Sequence, residues 1–86
     1  MWVNARHRKT LASLFAIPTP GNIRWNEIVS LMRDVGKVDE KRSGSRVAFT
    51  VKERTMVTHK PHPRREVGRA SVREIRDFLR DAGISP

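Results

Sequence analysis

Apolar positions along the chain change spacing twice, which divides it into a helical front, a sheet-forming middle and a helical end. In "RKTLASLFAIP", Leu11, Leu14 and Phe15 recur at helical spacing, and Pro18 and Pro20 close the run. This predicts a short helix over 9–16. In "NIRWNEIVSLMRDVG", Ile28, Leu31, Met32 and Val35 stand at i, i+3, i+4 and i+7, with Trp25 one turn earlier. Asn22 reads as the cap of this second helix and Gly36 as its stop.

After Gly36 the period falls to two. "KVDEKR" reads as a weak strand with little apolar content. "RVAFTV" alternates cleanly: Val47, Phe49 and Val51 share one face, and Arg46, Ala48 and Thr50 share the other. "KER" is turn-like, and "TMVTH" is a third strand, rich in Thr and Val. "KPHPRREVGR", with two prolines and four basic residues, reads as a loop. The last segment, "SVREIRDFLRDAG", is a helix. Its Ser71 and Glu74 match the S-x-x-E capping box, Val72, Ile75, Phe78, Leu79 and Ala82 form an apolar stripe, and Gly83 stops it.

The predicted fold class is α+β, a small α-α-β-β-β-α domain with a three-stranded antiparallel sheet and its helices on one face. Three short strands have one face worth burying, so Val47, Phe49 and Val51 turn inward, and Arg46 goes to the opposite side or the sheet edge. A chain of 86 residues suits one domain with a thin core.

Charge changes this picture most. Eighteen Lys and Arg face nine Asp and Glu, giving +9. Thirteen of the eighteen are Arg, whose planar guanidinium suits phosphate or carboxylate. Such a surplus points first to nucleic acid, ahead of an acidic protein or an anionic membrane surface. With no cysteine there is no disulfide and no thiolate metal cage, which fits a reducing compartment. The opening "MWVNARHRKT" has no apolar run resembling a signal peptide, and no stretch is long and apolar enough to span a membrane. The expectation is a soluble, cytoplasmic chain.

The candidate chemistry lies around two histidines. His59 and His62 are three apart, but a metal site needs a third ligand, and neither Cys nor an acidic cluster supplies one nearby. Lys60, Arg64, Arg65 and Arg69 crowd the same segment. An imidazole that exchanges protons near neutral pH, set beside fixed cations, suits a phosphodiester. His7, among Arg6, Arg8 and Lys9, reads as part of a solvated tail. On the last helix Arg69, Arg73, Arg76 and Arg80 line the face opposite the apolar stripe. Asp77 and Asp81 offer Arg76 and Arg80 local partners, whereas Arg69 and Arg73 flank a helix N-terminus that favours anions. Of the aromatics, Phe15, Trp25, Phe49 and Phe78 fall on core stripes and only Trp2 does not. Recognition by backbone shape and charge is therefore expected over stacking on single-stranded bases.

"GS" at 44–45 opening a strand, a short hairpin, "HP" at 62–63 followed by Glu66, and Ser71 before a helix ending "DAGI" resemble the HicA toxins of bacterial toxin–antitoxin systems. "IRWNEIVSLMRDVG" resembles the first long helix of a longer, Arg-rich branch of that family. The match covers roughly residues 22–85, leaving 1–21 as an N-terminal extension with a short helix and 22–86 as the HicA-like unit. The resemblance implies a fold like a double-stranded-RNA-binding domain. It implies metal-free cleavage of mRNA without a cofactor, and a HicB-like antitoxin that forms a hetero-oligomer with the toxin. The family usually carries a catalytic histidine directly after "GS" or one residue later, where this chain has Arg46 and Val47. Arginine stays protonated and cannot act as a base. His62, which aligns with a loop histidine of many members, or His59 then takes that role. Arg46 becomes an electrostatic stabiliser, and Ser45, Lys60, Arg64, Arg65, Arg69 and Arg73 grip the RNA. The alternatives are a non-catalytic double-stranded-RNA-binding module of the same fold, or a basic adaptor for an acidic protein.

Overall fold

The computed structural model describes residues 4–41 and 44–86, so Trp2 and Arg42, the latter in the expected strand "KVDEKR", lie outside the described residues. The first helix, α1, spans Ala5–Leu14 rather than 9–16. Asn4 starts it early, because its side-chain oxygen accepts the His7 backbone N–H at 2.8 Å. The buried positions are His7, Thr10, Leu11 and Leu14, a single helical face. His7 is therefore no solvated tail. Only 8% exposed, it places Nδ1 2.7 Å from Asp34 Oδ2 and Nε2 2.7 Å from Ser30 Oγ. The carboxylate only accepts, so Nδ1 carries the proton and donates it, while the Ser30 hydroxyl meets the other nitrogen. Ser30 and Asp34 are one turn apart on the second helix, and this contact locks the two helices together.

Strand β1 (Ile23–Arg24) precedes helix α2 (Trp25–Val35). Asn22 does not cap this helix. The chain stays extended through Arg24, the N-cap residue, which makes no side-chain cap bond. Instead the Trp25 N–H donates to the Arg65 carbonyl at 2.8 Å, satisfying one of the orphan donors of the first turn. Trp25, Ile28, Leu31, Met32 and Val35 are all buried, as their spacing predicts. Gly36 ends the helix, and its N–H donates to the Met32 carbonyl at 2.8 Å. A side chain here would overlap the Thr50 carbonyl oxygen, so close approach to the sheet, not dihedral freedom, calls for glycine.

Strands β2 (Lys37–Glu40), β3 (Arg46–Val51) and β4 (Arg54–His59) form an antiparallel sheet in the order β2-β3-β4. Val47, Phe49 and Val51 are buried on the helix side and Arg46 is exposed, as the alternation predicts. Trp25 packs on Phe49 with ring centroids 5.7 Å apart. The segment expected to be all loop contains β5 (Glu66–Val67), which pairs antiparallel with β1, Ile23 opposite Val67 and Arg24 opposite Glu66. Ile23 and Val67 are buried while Arg24 and Glu66 are exposed, so even this short pair alternates.

The last helix, α3, runs Arg69–Asp81. With Val67 held in β5 and Gly68 extended, the helix begins at once. The Val72 N–H donates to the Gly68 carbonyl at 3.0 Å, and no side chain caps the end. Ser71 lies inside the first turn, so the expected capping box does not form. Gly83, with φ +85°, reverses the chain, and the Ile84 N–H returns to the Leu79 carbonyl at 2.8 Å. Leu11 and Leu14 of α1 join Ile28, Leu31, Phe49, Val72, Ile75 and Leu79 in one hydrophobic core.

Two stability changes follow. Gly36→Ala drives a methyl into the Thr50 carbonyl and is expected to cost about 2–3 kcal/mol, read from the urea unfolding midpoint. His7→Ala removes both interhelical hydrogen bonds and buried ring contacts, and is expected to cost about 1–3 kcal/mol in the same assay.

Candidate nucleic-acid interface

The segment joining β4 to β5 is anchored at both ends. The Lys60 N–H donates to the Ser45 carbonyl at 2.8 Å, and the Arg65 carbonyl accepts from Trp25 at 2.8 Å. Pro61 and Pro63 narrow the backbone choices between these anchors. The result is a basic loop held against the start of α2.

Two hollows open beside it. The larger, about 420 Å³, has Arg24, Trp25 and Asn26 on one wall and Lys60, His62, Arg64 and Arg65 on the other. The smaller, about 150 Å³, is lined by Ser45, Arg46 and Lys60, with Lys41 and the acidic Glu40. A shallow depression bearing Ser45, Lys60 and His62 connects them. Lys60 belongs to all three, so the surface reads as one basic track. Arg24, Arg46, Lys60, Arg64 and Arg65 are exposed and make no ion pair among the described residues. Their charge is left to act on a ligand, and such clustering concentrates anions.

Not every expected residue joins this track. His59 faces the open side of the sheet opposite Arg46, with Nδ1 a long 3.4 Å from Ser45 Oγ, and lines none of these hollows. Arg69 turns to the N-terminal segment, where its Nε donates to the Thr19 carbonyl at 3.1 Å. Arg73 is exposed one turn further along α3, away from the hollows. Arg76 and Arg80 both pair with Asp77 at 3.2 Å, the local partnership that the sequence allows. The described aromatics Phe15, Trp25, Phe49 and Phe78 are buried or half-buried, so none offers an exposed stacking platform.

Arg24 and Asn26 are the wall residues that sequence reasoning missed. They reach the loop only because β1 pairs with β5, and two residues are too few to produce a readable period. Their one sequence signal is position, on either side of the first residue of the strongest front helix.

Among the described residues no group of three or more His, Cys, Asp or Glu gathers as metal ligands would. None of the described helices is long and apolar enough to cross a membrane. No curated protein and no solved structure matches the chain. The family model of the HicA toxin of bacterial toxin–antitoxin systems matches residues 25–84, a span that holds β2, β3, β4 and the basic loop together with α2 and α3. With well over half its length matched, the chain belongs to the HicA toxin family.

Proposed function

We propose that this chain is the RNA-cleaving toxin of a toxin–antitoxin pair: a metal-independent endoribonuclease that acts on mRNA in the cytoplasm and is neutralised by a HicB-like antitoxin. Residues 22–86 form the nuclease unit in this reading, and 1–21 an extension to it. The observation that carries the reading is the shared hollow in which the His62 imidazole stands among Arg24, Lys60, Arg64 and Arg65.

The chemistry is transesterification. The His62 imidazole takes the proton of a ribose 2′-OH, and the freed oxygen attacks the adjacent phosphorus. Charge builds on the non-bridging oxygens, where Lys60 and Arg46 oppose it. The bond to the 5′-oxygen breaks, and that oxygen takes a proton from the imidazolium or from water. Arg24, Arg64 and Arg65 hold neighbouring phosphates, fixing the strand without reading bases. Ser45, which lines the connecting depression with His62, bonds a phosphate oxygen in this reading.

One observation favours a second reading. Arg46 and Val47 occupy the positions after Gly44-Ser45 where the family usually has its histidine. A chain without that base could bind double-stranded RNA and leave it intact.

His62→Ala separates the two readings. Cleavage of a labelled RNA hairpin is expected to fall about 100-fold or more while affinity changes little, and growth arrest on induction in bacteria is expected to disappear. If the His59→Ala, His62→Ala double variant still cuts RNA at the parental rate, the base assignment fails. If the parent chain binds RNA but never cuts it, the second reading stands. Arg24→Ala and Arg64→Ala are each expected to weaken RNA binding regardless of sequence. Each should also lower the slope of log affinity against log salt by about one, measured by fluorescence anisotropy.

A further inference from the structure

In the three-stranded sheet only β3 is paired on both sides. The two outer strands differ. β2 is four residues long and carries Lys37, Asp39 and Glu40. Short length and charge are ordinary means of keeping an edge from pairing. β4 has six residues, and its centre, Thr55, Met56, Val57 and Thr58, has no charge and no proline. Its register against β3 runs without a bulge.

That register fixes which backbone groups of β4 are free. The Lys60 N–H donates to the Ser45 carbonyl, so these two residues form a hydrogen-bonded pair. Antiparallel alternation then makes Val47 with Thr58, Phe49 with Met56, and Val51 with Arg54 the other bonded pairs. The N–H and C=O groups of Thr55, Val57 and His59 therefore point away from β3, and among the described residues no strand meets them. The side chains of the same three residues are exposed on the open face. Val57, 53% exposed, is the one large apolar residue of the described sheet left so open. Ala48 lies opposite it, and the hydroxyls of Thr50 and Thr55 meet at 2.9 Å. This gives a neutral, β-favouring strip.

Cations stand at both ends of the strip: Lys52 and Arg54 at one, with Glu53 between them, and Lys60 at the other, next to His59. Arg54 has only an exposed 4.0 Å contact with Asp81, too loose to neutralise it. The geometry points to β4 as the docking edge for an extended segment of an acidic partner protein. The segment's backbone pairs with Thr55, Val57 and His59, and its terminal carboxylates meet Arg54 and Lys60. A nucleic acid has no alternating ladder of amide donors and acceptors to offer this edge. A second copy brings another +9, and pairing two β4 strands about Val57 sets Arg54 of one copy against Lys60 of the other. The inference does not rest on RNA cleavage.

The test uses the full chain and a short fluorescein-labelled peptide of alternating Thr and Val flanked by Asp and Glu. Amide hydrogen exchange followed by NMR is expected to slow at Thr55, Val57 and His59 on adding peptide, and not along β2. Val57→Lys puts a charge on the edge at an exposed position and is expected to weaken peptide binding by at least about tenfold. N-methylating alternate peptide amides should weaken it similarly, and so should Val57→Pro, which removes an N–H that the sheet does not use. RNA binding by Val57→Lys is expected to remain at the parental level, which keeps this outcome separate from the nuclease reading. Equal affinity for the N-methylated peptide means charge capture alone and overturns the inference, as does protection confined to β2. A dimer of the free chain in sedimentation, split by Val57→Lys, makes the edge a self-pairing surface and overturns the choice of partner.

Discussion

Ile23 and Arg24 pair with Glu66 and Val67 through only two residues on each side, yet the arrangement of the molecule depends on that contact. Joining segments so far apart in the chain costs loop entropy, which the burial of Ile23 and Val67 offsets. Once made, the pair sets three things. It lets the Trp25 N–H reach the Arg65 carbonyl, which starts α2 without a side-chain cap. It holds the basic loop against the head of that helix. It delivers Gly68 in the extended conformation from which α3 begins.

The cations of the described residues fall into two populations. Arg69 braces the Thr19 carbonyl, and Arg76 and Arg80 share Asp77, so these guanidinium groups hold the fold's own parts. Arg24, Arg46, Lys60, Arg64 and Arg65 stand around the hollows without an ion pair among the described residues. The histidines divide likewise. His7 is enclosed by Asp34 and Ser30, whereas His62 faces the basic hollow it shares with Arg24, Lys60, Arg64 and Arg65. Sequence spacing foretells the Arg76 and Arg80 pairs, but the contacts of Arg69 and His7 depend on which elements meet in space.

Long periodic segments were legible in the sequence. All five apolar positions chosen on α2 are buried, and so is the chosen face of β3, because burial of a repeating stripe leaves a repeating signal. Helix starts were not legible. Asn22 and the Ser71–Glu74 pair have the composition of caps, but extended Arg24 and Gly68, beside the β1–β5 pair, take the N-cap positions without any side-chain bond. The burial of His7 leaves no local signal, because its partners Ser30 and Asp34 lie 23 and 27 residues away. Lys60, His62, Arg64 and Arg65 could be grouped in advance because they are neighbours in the chain. Arg24 and Asn26 join them only through the tertiary fold.

The basic track rests on exposed side chains, while the hydrophobic residues beneath it are buried independently of it. Exchanging one such surface cation disturbs little packing, so its identity is weakly coupled to folding free energy. Natural variation can therefore change the charge of this track on an unchanged scaffold. Arg46, exposed at the start of β3, is a position of this kind.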